Sequence, residues 1–158
     1  MTIDRDAVTT EYIRLMVFYA SVGFKVNGSI ALNDVVLDEL TTVDDLPDWL
    51  RGNVREDVDE FLDAMESDIE RELPDLAPAD IGELLWESRN YEARGFYSRR
   101  QAPGDIWERL AYRADSMGSD ILRAEVVVDD PTVDPERRYH NDNLQMDTLR
   151  IWQGEWAT

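Results

Sequence analysis

The sequence predicts an α+β fold: several amphipathic helices with a small antiparallel sheet made of a hairpin over 85–98 and a strand over 121–128. Three observations point there. Apolar residues recur at helical spacing in separate stretches, a short run becomes continuously apolar at Val126, Val127 and Val128, and glycines and prolines mark the boundaries. At 158 residues, 43% of them hydrophobic, the chain matches a single domain over 1–158 with 129–158 as a C-terminal extension.

Taken in order, Val8, Tyr12, Leu15, Met16 and Tyr19 share a helical face, so residues 11–20 read as a central buried helix, although Ile13, Leu15, Val17 and Tyr19 also alternate as in a strand. Asn27-Gly28 is a hairpin-turn dipeptide between short flanks, which suit a loop equally well. Thr42 to Arg51 reads as a short helix capped by Asp44 or Asp45, with Pro47 in its first turn and Gly52 at its exit. A capping-box spacing at Asn53 and Glu56 then opens a longer helix, in which Val54, Val58, Phe61, Leu62, Met65 and Ile69 share one face until Pro74. Pro78 to Leu85 starts another short helix. Leu85 to Asn90 and Arg94 to Ser98 read as strands joined at Tyr91 to Ala93. Asp105 to Met117 is an amphipathic helix ended by Gly118, Ile121 to Val128 is a strand, 129–143 is a polar loop, and 144–156 is a terminal element of no clear type.

Thirty-five acids face sixteen bases, a formal charge of −19, and Lys25 is the single lysine. Such a field disfavours direct contact with nucleic acid and anionic membranes, and favours basic proteins and proteins that themselves bind nucleic acid. Without cysteine, thiolate metal sites, disulfides and cysteine nucleophiles are excluded. The N-terminal residues are acidic where a signal peptide is basic and then apolar, and no apolar run approaches membrane-spanning length, so a cytoplasmic protein is expected.

The charge is unevenly placed. Glu56 to Glu92 holds fourteen acids against Arg71 and Arg89, whereas Trp86 to Arg113 holds six arginines against four acids. On the 53–73 helix, Glu56, Asp59, Glu60, Asp63, Glu66 and Glu70 form an acidic face. A helical turn rises about 5.4 Å and duplex phosphates recur about every 3.4 Å per strand, so the face can imitate a sparse phosphate row. It is the candidate partner-binding surface. The competing readings are a solvated helix face or adaptation to high salt.

Paired acids at Asp44-Asp45, Glu56-Asp57 and Asp129-Asp130 lack the spacing of a calcium loop, and no metal or cofactor is expected. His140, the one histidine, lies in a polar loop away from any serine motif, so no catalytic residue is assigned and no enzyme is expected. The stretch from Trp86 to Arg113 interleaves Trp86, Tyr91, Phe96, Tyr97, Trp107 and Tyr112 with arginines. Such planes stack on bases and enrich protein interfaces. They are also consistent with core aromatics and arginines paired to the abundant acids. Arg89, Asn90, Arg94, Phe96 and Tyr97 form the alternative ligand-binding set.

Residues 82–99 read GELLWESRNYEARGFYSR. They resemble a small protein family of tailed phages and mobile elements with the core GHDFWLTRNGHGAGFWDR. Gly82, Trp86, Arg89, Asn90, Gly95, Phe96 and Arg99 coincide in gapless register, with Ser88 for threonine and Tyr97 for tryptophan, while Tyr91-Glu92-Ala93 replaces Gly-His-Gly. The resemblance covers about half of the chain, stops before 131–158, and brings no activity with it. It implies a viral or mobile-element origin and a compact α+β unit. In physical terms, Trp86 and Phe96 would face a core from paired strands, Gly95 would allow close packing, and Arg89 with Asn90 would anchor the turn.

The functional expectation is a non-enzymatic acidic interaction protein in the host cytoplasm. It would bind and modulate a host protein with a basic or nucleic-acid-binding surface, as a DNA mimic of the counter-defence type. The alternative is a nucleic-acid- or nucleotide-binding module using 86–113.

Overall fold

The helical stripes read from the sequence become five α-helices in the computed structural model, which describes residues 2–91, 93–140 and 148–153. The chain packs as two compact units, one of residues 1–15 with 46–120, the other of 16–45 with 121–158.

The first unit is helical. Helix α1 (Arg5–Phe18) buries Val8, Tyr12, Ile13, Leu15, Met16 and Val17, and its first turns belong to this unit. The later helix α3 (Asp48–Glu72) buries Leu50, Val54, Val58, Phe61, Leu62, Met65 and Ile69, the stripe expected from the 3.6-residue period. It is a single 25-residue helix. The expected break at Gly52 is therefore corrected: no atom lies within 4 Å of where its Cβ would stand, and the exposed residue rides through the helix interior. Only a 3₁₀ turn at Val43–Asp45 remains of the short helix expected over 42–51, outside α3.

The hairpin over 85–98 is also corrected. Pro78 starts helix α4 (Pro78–Asn90), where proline's missing N–H costs nothing, and Ile81, Leu84, Leu85 and Trp86 turn inward. Residues Gly95–Arg99 form a 3₁₀ helix rather than a strand. Helix α5 (Ile106–Asp115) begins as expected, with the Asp105 carboxylate accepting from the Glu108 N–H at 2.9 Å. Gly118 follows its end with φ of 78°.

The second unit holds the sheet, with helix α2 (Leu37–Leu40) beside it in sequence. Strands β1 (Ser21–Val26), β2 (Ser29–Ile30), β3 (Leu122–Val128) and β4 (Thr148–Gln153) lie in the order β2-β1-β3-β4. The sheet is mixed rather than antiparallel: β1 and β3 run parallel with Phe24 opposite Val126, while β2 and β4 pair antiparallel at the edges. Asn27 and Gly28 take φ of 51° and 83°, the positive pair that a tight hairpin turn requires. The Asn27 side chain holds the following loop by accepting from the Asp130 N–H and donating to its carbonyl, both at 2.8 Å. Phe24, Val26, Val126, Val128 and Tyr139 form the core of this unit, with the Phe24 and Tyr139 rings stacked at 4.7 Å. Of the terminal element expected over 144–156, residues 148–153 are β4, and the remainder lies outside the described residues.

The class expected from the sequence, α+β, holds. No helix among the described residues is long and apolar enough to cross a membrane.

Candidate functional site

The arginines of the first unit decide how its acids are used. Of the nine acids from Glu56 to Glu72, seven carry ion pairs. Arg5 of α1 reaches Asp59 at 3.0 Å, Asp63 at 2.9 Å and Glu66 at 3.5 Å, and Arg55 shares Asp59 at 3.1 Å. Arg113 of α5 meets Glu60 at 3.3 Å, and Arg109 meets Asp68 at 3.2 Å and Glu72 at 2.6 Å. Arg89 takes Asp57 at 2.8 Å. Glu56 and Glu70 alone lack an ion pair among the described residues. Two arginine bonds outweigh the desolvation of Asp59 and hold its carboxyl below the usual carboxylate range. The acidic face is thus largely a seam of internal pairs. Glu60 and Asp63 nevertheless keep 59% and 71% of their side-chain surface exposed.

The motif from α4 onward builds a second feature. Gly82 is buried because α1 passes over it; a Cβ there would stand 2.5 Å from the Val8 carbonyl oxygen. The Ser88 hydroxyl accepts from the Phe96 N–H at 2.8 Å, and the Phe96 ring stacks on Phe61 at 5.6 Å. Gly95, with φ of 68°, lies so close that its Cβ would meet the Ser88 oxygen at 2.2 Å. These are the packing roles expected for Trp86, Gly95 and Phe96, performed from helices rather than strands.

Arg89 is the centre of this arrangement, and its side chain is only 6% exposed. It donates to Asp57, to the Tyr12 hydroxyl at 2.9 Å, to the Gly118 carbonyl at 2.9 Å and to the Met117 carbonyl at 3.3 Å. Tyr12 in turn donates to Asp120 at 2.8 Å. Burial opposes the charge of Arg89, but Tyr12 and the two carboxylates outweigh it and raise its pKa. Burial and the neighbouring Asp120 push the Tyr12 phenol well above its ordinary value of 10.0. Asn90 donates to the Trp86 carbonyl and accepts from the Asp120 N–H, both at 2.8 Å. Arg89 and Asn90 therefore anchor the 117–120 segment; Glu92, in the turn they were expected to anchor, lies outside the described residues.

Above this base lies a cleft of about 460 Å³, within the size range of ligand pockets. Ser88, Arg89 and Asn90 form its α4 side, Tyr91, Arg94 and Tyr97 one rim, and Tyr112, Asp115 and Ser119 the other. Four of the five residues of the alternative set meet here, while Phe96 is buried beneath. Tyr91, Tyr97 and Tyr112 are 38%, 41% and 62% exposed. Arg94 lies over the Tyr91 ring at 4.9 Å, and Arg100 over Tyr97 at 5.6 Å. The sequence pattern included Tyr112 only as one aromatic in a mixed stretch and omitted Asp115. Their three-residue spacing on α5, which puts both on one helix face, was the available signal.

Among the described residues no cluster of three or more potential metal ligands occurs. In the other unit, Asp34 pairs with Arg138, and His140 Nδ1 lies 3.2 Å from the same carboxylate. No family model, no curated protein and no solved structure matches the chain.

Proposed function

We propose that this chain is a non-enzymatic interaction protein of viral or mobile-element origin that binds and modulates a host protein in the cytoplasm, with the tyrosine–arginine cleft of the helical unit as its contact surface. The observation that carries the reading is the grouping of three exposed tyrosines and Arg94 around a concave site on a helical base. Tyrosine and arginine dominate the energetics of protein interfaces because each brings a large planar contact area at small entropic cost. The buried Arg89 network supports the reading by fixing the base on which these side chains stand. The origin rests on the motif resemblance over 82–99.

A second reading, the acidic face as a DNA mimic, is favoured by the exposure of Glu60 and Asp63. A basic groove would then have to compete with Arg5 and Arg113 for the same carboxylates, which weakens the mimicry.

The test is affinity capture from host extract with the wild-type chain and with a Tyr97→Ala/Tyr112→Ala variant, both checked for unchanged helical circular dichroism. The reading expects a defined partner on the wild type and at least tenfold less on the variant. Equal capture by a folded variant contradicts it.

A further inference from the structure

Asp115 is the one carboxylate that lines the cleft, and neither it nor Arg94, whose guanidinium lies over the Tyr91 ring, makes an ion pair among the described residues. The Asp115 carboxylate is exposed and has no ion pair or hydrogen bond among the described residues, in a unit whose α3 acids are nearly all paired. One helical turn earlier stands Tyr112, the most exposed of the cleft's tyrosines, and no arginine of the described chain lies over its ring. An aromatic face beside a carboxylate suits a guanidinium, which stacks on the ring through its plane and donates two parallel N–H bonds to the carboxylate.

The same stretch shows this chemistry already in use. Arg94 lies over Tyr91, Arg99 over Trp107 at 5.4 Å and Arg100 over Tyr97. The neighbouring charge of Glu108 raises the Tyr112 phenol above its ordinary value of 10.0. The formal charge of −19 draws cationic segments toward the surface and opposes a phosphate-bearing ligand.

We infer that the cleft receives an arginine side chain of the partner protein, its guanidinium stacked on Tyr112 and bonded to the Asp115 carboxylate. This deepens the proposed function and rests on it. Lysine is a poorer fit, since a compact ammonium makes neither the planar stack nor the paired bonds.

The experiment is an amide chemical-shift titration of the full chain with octa-arginine and, separately, octa-lysine at about 0.15 M salt, where the Debye length is about 8 Å and diffuse attraction is damped. Octa-arginine is expected to shift amides of 88–97 and 111–119 and to bind more tightly than octa-lysine. Asp115→Asn, at an exposed side chain without partners among the described residues, should weaken octa-arginine about tenfold and leave octa-lysine unchanged. Tyr112→Phe should bind as wild type and Tyr112→Leu should not. Equal binding of the two peptides, indifference to Asp115→Asn, or shifts confined to Glu56–Glu70 overturns the inference. Shifts at the cleft with guanosine monophosphate but not with octa-arginine give the site to a nucleotide and also overturn it. If cleft variants abolish partner capture while octa-arginine leaves the cleft undisturbed, the contact surface stands and the arginine falls.

Discussion

Arg89 donates to Asp57 at 2.8 Å across 32 residues of sequence, from a side chain almost withdrawn from water. That contact ties the acid-rich helix to the arginine-bearing motif. Removing the guanidinium would leave Asp57, the buried Asp120 and the Tyr12 hydroxyl facing one another without their shared donor. Arg89→Met is therefore expected to cost about 3–5 kcal/mol, read as a lower urea midpoint. Arg89→Lys should recover little, because an ammonium cannot serve the carboxylates and the Gly118 carbonyl together.

Two glycines should respond in opposite directions. Gly95→Ala forces a positive φ on alanine and drives its methyl into Ser88 and the Leu84 carbonyl oxygen, so a loss of at least about 2 kcal/mol is expected. Gly52→Ala, in open space within α3, should raise stability by about 0.5–1 kcal/mol. Parallel melts of the two variants check the pair.

Charge reversal on α3 should divide by partner. Asp63→Lys with Glu66→Lys removes two ion-pair partners of Arg5 and sets like charges against it, so the melting temperature should fall. Glu56→Lys, without an ion pair among the described residues, should leave it nearly unchanged. A double reversal as stable as wild type would show that the pairs of Arg5 with Asp63 and Glu66 contribute nothing.

The pH dependence has two edges. Asp59, Asp105 and Asp130 have carboxyls lowered from 3.8, the first by its two arginines outweighing burial, the others chiefly by backbone N–H groups. A lowered folded pKa gives stability that is present above the unfolded value and lost as pH falls through the folded one, so denaturation should set in below about 4. Tyr12 is raised, so its contribution is whole below about 10 and is lost above that. Urea midpoints across pH should show a plateau between these edges, and Tyr12→Phe should soften the alkaline one.

Much of the helical framework was legible because buried stripes follow the 3.6-residue period: α1, the α3 stripe, α5 and the strand of valines all stood out. The hairpin over 85–98 was misread for a physical reason. Trp86, Tyr91, Phe96 and Tyr97 carry strand propensity, but Ile81, Leu84 and Leu85 continue into Trp86 at helical spacing from Pro78, and tertiary burial prevails over propensity. The parallel pairing of β1 with β3 joins residues about a hundred positions apart, beyond any local pattern. The site was half legible. Composition singled out the Arg/aromatic stretch, yet whether an acid is free or paired depends on which arginine folds against it, and Arg5 could not be assigned to Asp59, Asp63 and Glu66 from spacing.

Hydrogen–deuterium exchange of the chain with and without its captured partner tests the contact surface most directly. Binding at the cleft predicts slowed exchange over 88–97 and 108–119 with α3 unchanged. Protection confined to Asn53–Glu72 would place the partner on the acidic helix and contradict the account.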